Sequence, residues 1–356
     1  MKRTIIYLLV LTVVYSCNRI NDKDAKSVLE GFLKLKQGKK YEKMYKLISD
    51  ESKKYAPEPD FIKYYTDDDT IKDKISKITK IAEVETDINK PQYKRFKVER
   101  YDVVNKDTSR YRDYYTFINQ KGKWKLLWYG IIKNKANNYS DVLNYNKAID
   151  LFNKIVEINP YEGRAYFSLG RCYYSMNNID LLNKNLNKAI ELEPDYSNNY
   201  NLKGCYYNLL GNHQDFEIEN FKKAISFSLN KKDNCSYYSN ISSNFVSLEK
   251  YDSALFHIDK SLKIDSLESF SWKIKGRIFD RLKKYEEANI YFKKAINLKE
   301  DKIIFKEDNF YEYARNCYNL KRFDEAKRYI VKALDIDNNN QKWQELYEKI
   351  KKEMKE

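Results

Sequence analysis

Histidines and cysteines, the side chains best suited to metal binding and nucleophilic chemistry, are few and scattered in this sequence. The only two histidines are His213 and His257. Four of the five cysteines form no C-x-x-C pair: Cys172, Cys205, Cys235 and Cys317. A structural zinc site needs four such ligands at short spacings. The sequence therefore predicts no metal and no cofactor, and we expect these four thiols to pack as small apolar groups.

The fifth cysteine, Cys17, closes the N-terminal sequence MKRTIIYLLVLTVVYSC. A basic start precedes the apolar run Ile5–Tyr15, which suits a signal peptide and is too short to span a bilayer. The ending VYSC resembles a bacterial lipobox. The resemblance implies that residues 1–16 are removed, that the Cys17 thiol receives a diacylglycerol, and that residues 17–23 form a lipidated tether. The alternative is an ordinary signal peptide cut near Ser16.

A lipid at Cys17 would place the chain on a bacterial envelope membrane, since several acyl chains anchor far more firmly than one. Asn18 follows the cysteine in place of the aspartate that favours inner-membrane retention in some bacteria. We therefore expect the outer membrane, with the periplasmic and the external face both open. The net charge of +15 has two explanations, an AT-rich genome that favours lysine codons or a basic surface. Export argues against nucleic acid as the partner.

The second half of the chain repeats with a period of 34 residues. Gly170 and Gly204 are 34 residues apart, as are Pro160 and Pro194. The first copy reads Y-x2-L-G-x2-Y from Tyr166 to Tyr173, and related copies open at Tyr200, Tyr238, Trp272 and Phe310. This pattern resembles the tetratricopeptide repeat (TPR), in which two antiparallel helices stack on the next pair. Before the first full copy, Ala148 and Phe152 match the second helix of a pair, but no clear first helix precedes them.

A small residue recurs at one position of every first helix: Gly170, Gly204, Ser242, Gly276 and Ala314. Glycine inside a helix costs about 1 kcal/mol relative to alanine, so its use there predicts a close approach to a neighbouring helix. The two prolines, Pro160 and Pro194, are expected just beyond second helices, which they cannot continue. Residues 341–356 form an amphipathic helix, with Trp343 on its apolar face, that caps the array.

Residues 24–133 carry no such period. Helical spacing covers Asp24–Gln37 and the stretch from Tyr41, a loop is expected at Pro57 and Pro59, and a period of two begins near Lys80. Three candidate strands and a hairpin turn precede a returning strand that carries Trp124, Leu126 and Trp128: Lys80–Thr86, Tyr93–Val103, Arg110–Ile118 and the turn Asn119–Gly122. This order is similar to the α+β roll of the nuclear-transport-factor/SnoaL superfamily. The polar segment Gly130–Asp141 is expected to be a hinge.

Some relatives of that roll are enzymes, but this segment contains no histidine. An acid–base pair would have to come from groups such as Glu99, Asp113 or Tyr115. A ligand-free accessory or binding domain is therefore the preferred interpretation, and a small-ligand sensor or enzyme is the alternative. The predicted fold is an all-α TPR solenoid over residues 134–340, with its cap, preceded by a small α+β roll.

In tetratricopeptide arrays the first helix of each pair lines a concave groove that binds a peptide or a partner's helix. Carrying those positions over gives the candidate groove residues: Arg164, Phe167, Arg171, Tyr174, Asn198, Asn201, Asn208, Ser239, Asn240, Ser243, Lys273, Arg277, Asp280, Tyr311, Arg315 and Tyr318. Asparagine can pair with both groups of a peptide backbone, and arginine grips carboxylates with two hydrogen bonds. The favoured hypothesis is a non-catalytic, membrane-anchored scaffold that binds an acidic or neutral protein segment. These positions could equally be ordinary solvated helix surface.

Overall fold

The computed structural model of the chain describes residues 24–68, 75–87, 89–104, 107–298 and 306–354. The predicted signal peptide, Cys17 and the tether therefore lie outside the described residues. The chain divides into two compact units. The first runs to Arg100 and resumes over Arg112–Ile131, and the second comprises Tyr101–Tyr111 and Ile132–Glu356.

The first unit contains short helices followed by a four-stranded antiparallel sheet in the order β1-β2-β3-β4. Its elements are α1 (Ala25–Gln37), α2 (Tyr41–Tyr45), α3 (Asp50–Tyr55), α4 (Glu58–Asp68), β1 (Ile75–Val84), β2 (Tyr93–Val104), β3 (Asp107–Gln120) and β4 (Lys123–Leu126). The predicted hairpin is present, because β3 and β4 pair with Phe117 opposite Leu126. The backbone N–H of Gly122 donates to the side chain of Asn119 within that turn.

The largest differences from the expected boundaries in this unit are at the first strand and at the proline pair; the third strand also extends beyond Arg110–Ile118, to Asp107–Gln120. The first strand begins five residues before Lys80, at Ile75, and ends at Val84. The segment around Pro57 and Pro59 is not a plain loop, because α4 starts at Glu58. Proline is tolerated in the first turn of a helix, where its missing N–H would have no partner within the helix. The proline pair therefore marked the start of a helix.

Aromatic side chains fill the core of the first unit. Phe61 and Trp128 meet edge to face with ring centroids 4.7 Å apart, and Phe96 and Phe117 do so at 5.9 Å. Phe32, Phe61, Phe96 and Phe117 are at most 1% exposed. Each ring of this size buries about 150–250 Å², so a few of them stabilise a small unit strongly.

Apart from Tyr101–Tyr111, the second unit consists of helices that follow one another in antiparallel pairs. They are α5 (Gly130–Asp141), α6 (Tyr145–Ile158), α7 (Gly163–Ser175), α8 (Ile179–Leu192), α9 (Ser197–Leu210), α10 (Gln214–Phe227), α11 (Asn234–Ser247), α12 (Tyr251–Ile264), α13 (Ser269–Arg281), α14 (Tyr285–Ile296), α15 (Lys306–Asn319), α16 (Phe323–Leu334) and α17 (Gln341–Glu353). Pro160 and Pro194 follow the ends of α6 and α8 by two residues, as predicted. Trp343, Leu346 and Ile350 of α17 are buried against α15 and α16, so the last helix caps the array.

The expected hinge at Gly130–Asp141 is wrong, because these residues form the helix α5. Ala136 occupies the small-residue position of this helix and is fully buried. α5 and α6 are joined by the same turn as the later pairs, so α5 is the first helix that the sequence pattern lacked. The many asparagines obscured it, because asparagine is a weak helix former and a common turn residue.

The turn between the two helices of a pair places a non-glycine residue in the left-handed conformation. These residues are Leu143, Asn177, Asn212, Glu249, Lys283 and Lys321, with φ between 55° and 60°. In most of these turns the next N–H closes a hydrogen bond to the carbonyl five residues earlier, as from Asn144 to Tyr139 at 2.8 Å. This is the Schellman ending of a helix, which normally uses glycine.

We expect Leu143→Gly to raise the free energy of unfolding by about 0.5–1 kcal/mol. A side chain in the left-handed region costs about 1–2 kcal/mol, and glycine recovers most of that after its larger entropy loss on folding. The Leu143 side chain is 70% exposed, so little packing is lost. Urea denaturation followed by circular dichroism measures the change. Leu143→Ala is the control, since it removes the side chain but keeps the strained Cβ; a glycine variant no more stable than the alanine variant contradicts the prediction.

Candidate functional site

The first helices of the pairs form one side of the second unit, which we call the inner wall. α7 contacts α9, α11 contacts α13, and α13 contacts α15, whereas consecutive second helices make no comparable contacts within the described part of the unit. In a curved stack of helix pairs, the helices on the inside of the curve approach one another more closely than those on the outside. The first helices that carry the candidate groove residues therefore line one side of the unit, and the accessibility of each candidate differs.

The inner wall begins with the four candidates of α7. Arg164 stacks on the ring of Tyr196 at 4.7 Å, and its Nε lies 3.4 Å from the buried carboxylate of Glu193. Phe167 meets the same Tyr196 ring edge to face, and Tyr174 is half-buried beside Leu182. Arg171 is exposed, and its guanidinium donates to the hydroxyl of Ser140 on α5 at 3.3 Å. Arg171 is thus the most accessible of the four.

The middle of the wall is uncharged and largely engaged in its own hydrogen bonds. Asn198 donates to the hydroxyl of Tyr196 and accepts from that of Tyr237. Asn208 is exposed and donates to Glu217 at 3.3 Å. The buried amide oxygen of Asn201 has no hydrogen-bond partner in the described structure.

The candidates on α11 differ in accessibility. Asn240 and Ser243 are half-buried. Ser239 is fully buried and shares a hydroxyl network with Ser261 and Ser271 at 2.7–2.8 Å. Ser239 therefore holds α11, α12 and α13 together rather than facing a ligand.

The last two repeats carry charged candidates that pair with one another. Arg315 lies 2.7 Å from Asp280 and 2.8 Å from Glu312. Arg277 lies 3.8 Å from Glu312. Lys273 is only 5% exposed, and burial lowers the pKa of its ammonium group although Asp308 and Glu312 oppose the shift.

The aromatic candidates of the last repeat support packing. Tyr311 is 7% exposed and stacks on Trp343 of the capping helix. Tyr318 is half-buried, and its ring centroid lies 5.8 Å from that of Phe323. Burial raises the pKa of the Tyr311 hydroxyl. This end of the wall thus presents fewer free side chains than the sequence positions suggested.

Sequence reasoning missed the residues that complete these contacts. Ser140 lies on α5, which was not expected to be a helix. Glu312 lies one residue and Asp308 three residues from the candidate Tyr311 on α15. Opposite charges on α13 and α15 recur 35 residues apart, as in Arg277 with Glu312 and Asp280 with Arg315. That spacing, close to one repeat, was the signal that could have identified the pairs.

The possible acid–base groups of the first unit are held in structural contacts. Asp113 forms an ion pair with Arg100 at 2.6 Å, and Glu99 lies 3.8 Å from Lys97. Tyr115 meets Phe32 edge to face. The carboxylate of Asp113 is thus engaged by the Arg100 guanidinium in a contact within the sheet.

The four described cysteines are free thiols. Cys172, Cys235 and Cys317 are buried, as expected for apolar packing, and Cys205 is half-buried. Burial raises the pKa of Cys205 and of Cys317 to about 11, so both remain protonated at neutral pH. Across the described residues, no three side chains of His, Cys, Asp or Glu are grouped so that they could hold a metal ion. The described helices are all too short or too polar to cross a bilayer.

Comparison with protein families identifies the repeat. The tetratricopeptide repeat model matches residues 163–196, 271–302 and 308–340. These segments coincide with the pairs α7–α8, α13–α14 and α15–α16. The pairs α9–α10 and α11–α12 also consist of two consecutive helices of 14 residues each in close contact.

Two curated proteins are similar to parts of the chain. Anaphase-promoting complex subunit 3 of Schizosaccharomyces pombe is 25% identical over 150 residues, which are 42% of this chain and 22% of that protein. Heat shock protein STI1 of Saccharomyces cerevisiae is 28% identical over 101 residues, or 28% and 17% of the two chains. The chain thus matches only about a fifth of the length of either relative.

Solved structures share the fold. PilW, described as a widely conserved type IV pilus biogenesis factor, aligns with a TM-score of 0.53 and 15% identity over 61% of this chain and 97% of its own. PilF of Pseudomonas aeruginosa aligns with a TM-score of 0.51 and 14% identity, over 62% of this chain and 97% of its own. A chain of the APC/C hetero-tetramer Cut9–Hcn1 aligns with a TM-score of 0.56 and 14% identity, over 63% of this chain and 43% of its own. At these identities the likeness concerns the fold alone.

Proposed function

Because the chain carries tetratricopeptide repeats, we propose that it is a non-catalytic scaffold that binds a protein or peptide partner along its inner wall. The observation that carries the proposal is the wall itself, in which first helices of successive pairs lie side by side. Polar and aromatic side chains from α7, α9 and α11 meet there within one surface, and such mixed surfaces suit peptide recognition. Helix pairs stacked in one dimension build an extended face of this kind.

Photo-crosslinking in intact cells tests this proposal. A photoreactive phenylalanine analogue is placed at Tyr174 or Asn208 on the inner wall, and at Lys184 or Lys222 on the exposed outer side as the matched control. We expect discrete protein adducts from the inner positions and none from the outer positions. Equal labelling at both sets, or adducts from the outer set alone, would contradict the inner wall as the binding surface.

We propose in addition that the scaffold is held at the bacterial outer membrane by lipid on Cys17. The support is the lipobox-like sequence that ends at Cys17, preceded by the apolar run Ile5–Tyr15. One diacylglycerol and one amide-linked acyl chain together give stable anchoring, because each buried methylene contributes about 0.8 kcal/mol.

Cys17→Ala is expected to move the protein from the membrane pellet to the soluble fraction or to leave it unprocessed. Fractionation and detergent extraction of wild type and variant measure the change, with Cys205→Ala as a control that removes a thiol of the repeat array. A variant that pellets with membranes to the same extent as wild type, after cleavage of its leader, would show that lipidation is not the anchor.

A further inference from the structure

The charges of the inner wall are distributed unevenly between its two ends. The end built by α13 and α15 carries a set that we call the ion-pair ladder: Lys273, Arg277, Asp280, Asp308, Glu312 and Arg315. Three of these side chains are cationic and three are anionic, so the ladder is neutral as a set. Each cation lies within 4 Å of at least one of the carboxylates.

The ladder is too buried to exchange its partners for those of a ligand. The side chains of Asp280 and Glu312 are 10% and 14% exposed. A ligand carboxylate that captured Arg315 would leave both of these acids without their closest cation. Breaking a buried pair in this way is strongly unfavourable, because an uncompensated charge stays in a poorly solvated site. The α13–α15 end therefore rejects acidic ligands although it contains three cations.

Arg171, at the other end of the wall, is in the opposite situation. Its side chain is exposed, and among the described residues its guanidinium donates a single hydrogen bond, to the neutral hydroxyl of Ser140 at 3.3 Å. Within the described part of the chain, no carboxylate lies within 4 Å of Arg171. Arg164, two turns earlier on α7, is already paired with the buried Glu193. Most of the guanidinium donors of Arg171 thus point to no protein acceptor.

We propose that Arg171 selects the partner by binding one carboxylate of a protein segment that lies across α7 and α9. This inference rests on the proposed function and specifies it: one acidic side chain at a fixed place, flanked by uncharged residues that face Asn198 and Asn208. A guanidinium can bind a carboxylate with two parallel hydrogen bonds. The described groove candidates of α9 and α11 are all uncharged, and Lys203 of α9 already donates to Asn183 and Asn187. Recognition there is therefore limited to one acid.

Phage display of random 12-residue peptides against the purified protein supplies the probes. Selected peptides are synthesised in pairs that differ by a single Asp→Asn or Glu→Gln change, and their affinities are measured by fluorescence anisotropy. We expect one acidic position to recur, and we expect its neutralisation to weaken binding by about tenfold or more. Arg171→Gln should weaken the acidic peptide equally and leave the neutral peptide unchanged, so that the two changes are not additive.

Arg281→Gln is the matched control, because Arg281 is another exposed arginine of a first helix, and it should change affinity less than twofold. Circular dichroism verifies that both variants keep the fold. Peptides whose binding ignores Arg171, or depends on Arg277 or Arg315, would overturn this inference while the groove hypothesis stands. Failure to select any peptide, together with no crosslinks from the inner wall, would overturn both.

Discussion

Arg315→Met is expected to lower the free energy of unfolding by about 3 kcal/mol, the largest effect we predict for a single surface-facing residue. Arg315 is the shared partner of Asp280 at 2.7 Å and Glu312 at 2.8 Å. Methionine keeps the volume and removes the charge, so two poorly solvated carboxylates lose the cation that they share. Arg277, 3.8 Å from Glu312, and the buried Lys273 offset part of the loss. The urea midpoint and slope of the protein, followed by circular dichroism, measure the loss.

Two further variants identify the cause. Adding Asp280→Asn and Glu312→Gln to Arg315→Met should recover most of the lost stability, because the uncompensated charges disappear. Arg328→Met should change stability by less than about 0.5 kcal/mol, since Arg328 is 64% exposed and 4.0 Å from Glu325. If Arg315→Met costs no more than Arg328→Met, the ladder does not stabilise the array.

Gly276→Ala is expected to cost about 1–3 kcal/mol, because the added methyl group overpacks the core. A Cβ at Gly276 would lie 2.6 Å from the ring of Phe292, which is fully buried and cannot retreat. The clash outweighs the gain of about 1 kcal/mol that alanine brings to a helix. Urea denaturation again provides the measurement. Gly204→Ala should behave in the same way, since Phe221 would lie 2.7 Å from its Cβ.

Gly170 provides the matched control for this prediction. A Cβ there would meet Leu202 at 3.5 Å and Leu182 at 3.7 Å, which are ordinary contacts. Gly170→Ala is therefore expected to be neutral or to stabilise by up to about 1 kcal/mol. Adding Phe292→Leu to Gly276→Ala should reduce the cost of the alanine by making room for the methyl group. Equal effects at Gly170 and Gly276 would show that the ring contact is not the cause.

The recurring glycines show which part of the helix packing the sequence could predict. Their recurrence at one helix position predicted a close approach, and the structure has one at Gly204 and Gly276. The neighbour is a phenyl ring of the second helix in the same pair, 16 or 17 residues later in the chain. At Gly170 the corresponding residue is Leu186, and no such close contact exists. The sequence pattern was thus the same at three positions whose packing differs.

In the first unit, the sequence predicted some elements and missed others. The helix α1, the helical stretch from Tyr41 and the hairpin followed from helical spacing, alternation and turn residues. The helices α3 and α4 and the bounds of the first strand did not. In the second unit, the helix α5 was not predicted because its asparagines favour turns locally. Burial of Ala136 stabilises a helix there. Local preferences of about 0.5 kcal/mol per residue are overridden by tertiary packing.

What the sequence by itself determined is the repeat: the period of 34 residues, the alternation of helix pairs, their stop signals and the capping helix. These features depend on side-chain spacing along one helix, which the covalent chain sets directly. What only the tertiary structure decided is which charged groups remain available on the inner wall. Arg171, Arg277 and Arg315 look alike in the sequence, yet two of them are neutralised by acids on neighbouring helices. Such pairing depends on distances between helices about 35 residues apart, which no local pattern specifies.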